Sequence, residues 1–195
     1  MILPIVAYGD PVLRKVGAKI DENYPDLEKL ISNMKETMYN ASGVGLAAPQ
    51  IGKSIRLFVI DASPFADDED LKESDREALK NFNKVFINAQ IVEEQGEEWA
   101  FNEGCLSIPN VREDVFRKET ITIEYEDENF KKHTETLSGL AARVFQHEYD
   151  HIEGVLFTDK LSSLKKRLIK KKLENISKGK VNADYRMRFP NAKKR

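Results

Sequence analysis

The stretch RVFQHEYDHIEG, residues 143–154, holds two of the chain's three histidines, His147 and His151, with Glu148 directly after the first. On a helix, residues i and i+4 are neighbours, with Cβ atoms about 5–6 Å apart. Both imidazoles can therefore reach one ion at the usual metal–nitrogen distance of about 2.0–2.1 Å. Glu148 leaves such a helix roughly 100° from His147, beside the ion and not aimed at it, which suits a proton acceptor for a reacting water. The blander reading is a charged helix face with incidental histidines. The preceding turn, LAARVF at 140–145, counts against it. It is largely apolar, so one face of the helix is core, and imidazoles buried there without partners would cost free energy.

Two imidazoles do not complete a catalytic metal site, and two residues compete for the third place. In zinc peptidases with the same H-E-x-x-H spacing, the third ligand lies downstream, often a glutamate on a later helix. Glu174 is the candidate here, but it sits among Lys170, Lys171 and Lys178, where pairing on a solvated helix face accounts for it. The rival is Cys105, in NEGCLSIPN at 102–110. A cysteine beside Glu103, Gly104 and Ser107 in a turn-like segment is a poor core filler. Glycine permits close backbone approach, and a thiolate is a strong ligand for a soft or borderline metal. A Cys/His/His set also leaves the fourth position open, as catalytic sites require, and the cysteine is preferred. A closed structural site in a binding module would need four protein ligands. There is no second cysteine, and the remaining histidine, His133, lies in a polar hairpin where solvation explains it.

Working outward, Ser138 is placed to cap a helix over 140–152 that Gly154 stops. From Val85 to Leu137 the texture is β. VFINAQIV and ITIEYED carry alternating or β-branched residues, and DENFKK is a hairpin turn before HTETL. Upstream, PDLEKLISNMKETMYNA sets Leu27, Leu30, Ile31, Met34 and Met38 on one helical face, with Pro25 and Asp26 where the helix begins. SGVGLAAPQIG then breaks the period, IRLFVI reads as a short buried strand, and ADDEDLKESDREALKN as an acidic surface excursion with a helical turn or two. Downstream, SSLKKRLIKKKLENISKG is a second helix. Ser162 is its cap, Leu164, Leu168, Ile169, Leu173 and Ile176 are its apolar stripe, and Gly179 is its stop. The tail VNADYRMRFPNAKKR has no clear period. Strands in the middle with helices before and after give an α+β class. Mixed or antiparallel sheets are expected around a central metal-binding helix, with a C-terminal helix.

Absence of repeats and linkers points to a single domain over residues 1–195. With 41% hydrophobic and 33% charged residues, the composition is that of an ordinary soluble protein. A net charge of -2 gives no overall attraction for nucleic acid or membrane, and no apolar run approaches the roughly 20 residues of a bilayer span. The opening MILPIVAYGDPVLRKVG lacks the pattern of a signal peptide. The lone cysteine excludes an internal disulfide and fits a reducing cytoplasm.

GVGLAAPQ (43–50), EGCLS (103–107) and HEYDH (147–151) resemble, intact and in order, the three signature motifs of the peptide deformylase family. DPVLRKV near the start and GVLFTDKLS after the metal helix extend the resemblance over most of the chain. It implies a hydrolase that removes the formyl group from the N-terminal methionine of newly made polypeptides and releases formate. Cys105, His147 and His151 become ligands of one divalent ion, iron(II) natively, with zinc, nickel or cobalt as replacements. Glu148 becomes the group that takes a proton from the attacking water and delivers it to the leaving amine. The Gln50 side-chain amide and the Leu106 backbone N–H become oxyanion donors.

By the same resemblance, the backbone at Gly43, Val44 and Gly45 lies against an extended substrate, with no room for Cβ at either glycine. Val44, Phe101, Leu140 and Val144 line a methionine pocket, although Phe101, Leu140 and Val144 read equally as plain core. Arg112 touches substrate backbone, and Asp150 supports the site. Two features depart from compact members, the insertion at 61–83 and the tail past Gly179, and neither is expected to touch a motif. Between Lys160 and Lys180 only Glu174 opposes the lysines, and Arg186, Arg188, Lys193, Lys194 and Arg195 add to the charge, while acids gather from Asp67 to Glu77. The expected partners are formyl-methionyl nascent chains and, weakly through the basic helix, the ribosome, with no membrane association.

Overall fold

The apolar spacings fold as the sequence leads one to expect, around one long hairpin. The computed structural model describes residues 1–192; Lys193, Lys194 and Arg195 lie outside the described residues. In chain order the elements are β1 (Ile5–Val6), α1 (Leu27–Asn40), β2 (Gly45–Ala47), β3 (Leu57–Asp61), α2 (Glu73–Lys80) and β4 (Asn83–Cys105). There follow β5 (Ile108–Glu126), β6 (Lys132–Ser138), α3 (Gly139–Ile152), α4 (Ser163–Ser177) and β7 (Met187–Arg188). Strands β2 to β6 form one sheet in sequence order, antiparallel throughout, and β1 pairs with β7 in parallel. The α+β class holds.

Strand β5 explains how the sheet faces the helices. Val115, Arg117, Ile121, Ile123 and Tyr125 are buried at positions of one parity, the period-2 signature of a strand with one face on a core. Against that face lies α3, buried almost all round, from Ala141 through Gln146 and again at Glu148, His151 and Ile152. An aromatic cluster pins it there. Phe145 meets Phe86 edge-to-face at 5.0 Å and Phe58 at 5.2 Å, while Phe58 and Phe86 stack at 5.0 Å. Each fully buried ring contributes on the order of 1.5–3 kcal/mol by area alone. Helix α1 buries Leu30, Ile31, Met34 and Met38 in a second cluster with Leu46, Leu57 and Val59.

Three local expectations need correction. Ser138 holds the N-cap position of α3 but makes no capping bond; its hydroxyl pairs with Thr120 Oγ1 at 2.9 Å across β5 and β6 instead. In α4 the buried line is Ile169, Leu173 and Ile176, at spacings i, i+4 and i+7. Leu164 and Leu168 are 62% and 70% exposed, because Leu168 falls roughly 100° and Leu164 roughly 140° from that line and the helix touches its neighbours along one narrow stripe. Ser162 does cap α4, accepting from the Lys165 N–H at 3.3 Å. His133 is not merely solvated: it stacks on Tyr125 and its Nε2 lies 2.7 Å from Asp127 Oδ2.

The insertion and the tail also do more than decorate the surface. The insertion folds into a 3-10 turn, Ser63–Asp67, followed by α2, and buries Ala66, Leu79 and Phe82 in the aromatic core. Beyond α4 the chain returns along β1, registering Met187 with Ile5 and Arg188 with Val6.

Candidate active site

Cys105 ends β4, one residue before the tight turn to β5, and the two histidines project from α3. Their ligand atoms lie within 4.8 Å of one another, with Cys105 Sγ 3.3 Å from His151 Nε2. Glu174 is exposed on α4, and the only such triad found among the described residues is the one containing Cys105.

The orientation of His147 has a definite cause. Its Nδ1 lies 2.9 Å from Glu103 Oε2, so that nitrogen carries the proton and Nε2 is left with its lone pair toward the cluster. Glu103, 4% exposed, is gripped in turn. Arg117 donates Nε to Oε1 at 2.7 Å and Nη2 to Oε2 at 2.9 Å, and Arg143 donates Nη1 to Oε1 at 3.0 Å. Burial alone would raise the Glu103 carboxyl. The bonds and charges of Arg117 and His147 outweigh it and hold the group well below the usual carboxylate range. Arg117 also donates to Asp150 Oδ2 at 2.7 Å, and Arg143 donates to the carbonyls of Val115 and Trp99. Sequence reasoning missed both arginines. The signal was present: Arg117 shares the parity of the buried β5 residues, and Arg143 interrupts an apolar helical turn.

Glu148 is 4% exposed and its Oε2 has no protein partner. Burial is the chief cause that pushes its carboxyl up to about 7, opposed by the charge of His147 and aided by that of Glu103. Gln50 is turned by its own neighbourhood: its Oε1 accepts the Ala47 N–H at 2.9 Å, so the amide NH2 faces Cys105 Sγ at 3.5 Å and Ser107 Oγ at 3.4 Å. The donor set is one that fits a divalent ion. Three neutral or thiolate ligands converge while an unpartnered buried carboxylate oxygen and an amide donor held only by long contacts stand beside them.

A cleft of about 540 Å³ opens on this centre, lined by Gly43, Val44, Gly45, Gln50, Phe101, Cys105, Leu106, Arg112, Val144, His147 and Glu148 among others. Leu140 does not line it. It packs, partly buried, against the aromatic core cluster to which Val144, one helical turn on, also belongs. The cleft wall includes two groups that the sequence did not suggest: Phe65 from the insertion, and Asn182 to Tyr185 from the tail. Tyr185 donates to the Leu106 carbonyl at 2.8 Å, so the tail does touch a motif. Arg112 is exposed but committed to Asn102, through Nε at 2.9 Å and Nη2 at 2.5 Å. The space at both glycines is already taken within the site: a Cβ on Gly43 would come within 2.7 Å of Leu106 Cδ1, and one on Gly45 would collide with the Glu148 carboxylate.

Replacing Glu103 with glutamine removes the charge that pairs Arg117 and Arg143. Breaking a buried pair by neutralising one partner costs about 3–5 kcal/mol. Chemical unfolding of Glu103→Gln is expected to register a loss of that order, and an unchanged midpoint would mean the network is incidental.

The comparisons agree with this geometry. The family model described as polypeptide deformylase matches residues 2–167. A peptide deformylase of Christiangramia forsetii is 73% identical over 194 residues, spanning 100% of this chain and 99% of its own. One of Cytophaga hutchinsonii is 56% identical, spanning 97% and 98%. A crystal structure of a peptide deformylase from Legionella pneumophila superposes with a TM-score of 0.77 at 38% identity, covering 92% of this chain and 98% of that one. With its three motifs meeting in one cleft, the chain belongs to the polypeptide deformylase family.

Proposed function

We propose that the cleft hydrolyses the formyl group from the N-terminal methionine of nascent polypeptides, releasing formate, with one divalent ion held by Cys105, His147 and His151. The carrying observation is convergence: the three ligand atoms within 4.8 Å, the unpartnered Glu148 Oε2 and the Gln50 amide turned toward Cys105 belong to three separate stretches of sequence and share one cleft. Bound there, such an ion supplies Lewis acidity that makes water nucleophilic near neutral pH. Iron(II) is the native ion in this reading, and zinc, nickel or cobalt can replace it on the same soft and borderline donors.

The side chains divide the remaining work. Glu148 takes the proton of the attacking water and returns it to the leaving amine. The Gln50 amide and the Leu106 N–H donate to the oxygen that gains charge at the tetrahedral carbon. Glu103 keeps His147 in the tautomer that serves as a ligand. Strand β2 ends its sheet, so its outer edge can receive an extended peptide. The Val44 carbonyl already accepts the Asp61 N–H at 2.9 Å, so by strand alternation Gly45 presents its N–H and C=O to that edge. Val44, Phe101 and Val144, joined by Phe65, form the apolar lining for an unbranched side chain such as methionine. Arg112 stands at the rim, for substrate backbone. A cytoplasmic location belongs to the same reading, since formylated chains arise there and a reduced thiol persists there. No helix among the described residues is long and apolar enough to cross a membrane.

Formate release from formyl-Met-Ala, with anaerobic metal analysis of the same sample, tests the activity and its ion together. Glu148→Ala is expected to keep its metal while turnover falls by orders of magnitude. Loss of the metal along with activity would mean that Glu148 is a ligand, contrary to its assigned part.

The basic face of α4 belongs to the proposal as a weak contact with ribosomal RNA. Lys166, Lys170, Lys171 and Lys172 are exposed, whereas Lys165 is partly engaged by Glu113 Oε2 at 3.1 Å. Phosphate contacts of this kind weaken steeply with salt. Charge reversal at Lys165, Lys166 and Lys170 is expected to abolish ribosome pelleting at low salt and to spare cleavage of short formyl peptides; pelleting that ignores both salt and reversal would reduce α4 to a packing element.

A further inference from the structure

The turn between β4 and β5 contains only Leu106 and Ser107, yet it is held from three directions. The Tyr8 N–H donates to the Ser107 carbonyl at 2.9 Å. The Gln50 amide lies 3.4 Å from Ser107 Oγ. The third hold comes from far along the chain: the Tyr185 hydroxyl donates to the Leu106 carbonyl at 2.8 Å, a contact spanning 79 residues. Without it, the Leu106 carbonyl would have no partner among the bonds found for the described residues.

The tail that delivers Tyr185 is firmly tied. On one side, Asn110 Nδ2 donates to the Asn182 carbonyl at 2.8 Å. On the other, β7 runs beside β1, with the Ile5 N–H on the Arg186 carbonyl and the Ala7 N–H on the Arg188 carbonyl, both at 2.9 Å. Farther on, the Asn191 N–H reaches the Ser177 carbonyl at 3.0 Å, and Phe189 packs over Gly179. Asn182, Ala183, Asp184 and Tyr185 all line the cleft. This segment lies beyond residue 167, where the match to the family model ends.

We infer that Tyr185 is a positioning residue for the reaction: its hydroxyl fixes the Leu106 turn, and so the direction in which the Leu106 N–H points at the developing oxyanion. The inference rests on the proposed function of Leu106 and Gln50 as oxyanion donors. A donor a fraction of an ångström out of line loses strength chiefly in the transition state, where the charge is largest. Removing the hydroxyl while keeping the ring should therefore lower kcat more than it alters KM. A residue that merely packed the tail would leave both constants alone, or would lower thermal stability without that asymmetry.

The test compares cobalt-loaded full-length chains on formyl-Met-Ala. Tyr185→Phe is expected to lower kcat about 5- to 20-fold with KM changed less than about twofold, metal content intact and melting temperature close to that of the unaltered chain. Arg186→Ala, one residue on and exposed, should change neither constant. Gln50→Ala separates this inference from the reading beneath it. If Gln50→Ala lowers kcat and Tyr185→Phe does not, positioning by Tyr185 is overturned and the oxyanion reading stands. If neither variant lowers kcat, both are overturned. If Tyr185→Phe loses metal along with activity, the tyrosine holds the ligand hairpin in place and the inference is again overturned.

Discussion

One buried carboxylate ties the site to the fold. Glu103 sits on β4, its partner Arg117 on β5, and both Arg143 and His147 on α3. Burying these charges costs several kcal/mol per ion, and their mutual attraction offsets that only if the bonding is nearly complete. Here it is close to complete: both oxygens of Glu103 accept, Arg117 gives its remaining bond to Asp150 and Arg143 bonds two backbone carbonyls, leaving Arg143 Nε as the one guanidinium nitrogen of Arg143 that is buried without a partner. The same bonds that dock the long hairpin on the helix also select the His147 tautomer. Stability and ligand geometry are therefore one network, and the aromatic packing of Phe58, Phe86 and Phe145 keeps the helix at the depth the network requires.

Much of this was legible in the sequence because it depends on local spacing. The helix carrying His147 and His151, the face of α1 and the β texture between Val85 and Leu137 all follow from periods of 3.6 or 2. Cys105 was separable from Glu174 by chemistry alone. What escaped were pairings over long separations. Arg117 meets Asp150 and Arg143 meets Trp99 with no periodic trace to announce them. Tyr185 lies in a stretch without pattern, and long-range ties, the pairing of β7 with β1 and the Asn110–Asn182 bond, bring it back to Leu106. Leu140 and Leu168 mark a different limit. A periodic stripe shows that a helix has an apolar side but not how wide its contact is or what it faces.

The glycines illustrate how a correct expectation can have a second cause. Open backbone at Gly43 and Gly45 suits an extended peptide, yet in the folded chain the space is already claimed by Leu106 and Glu148. A side chain at Gly45 would displace the carboxylate before any substrate arrived. The loop and the metal helix are thus fitted to each other first, and the cleft for the peptide is what that fit leaves open.

The central claim, that Cys105 completes a three-ligand site with His147 and His151, is tested most directly by the absorbance of the cobalt-loaded chain. A thiolate ligand gives an intense near-ultraviolet charge-transfer band, and the account predicts that band, saturating with a single ion and lost in Cys105→Ser. A cobalt-bound chain without the band, or one whose spectrum is unchanged in Cys105→Ser and altered in Glu174→Gln, would contradict it.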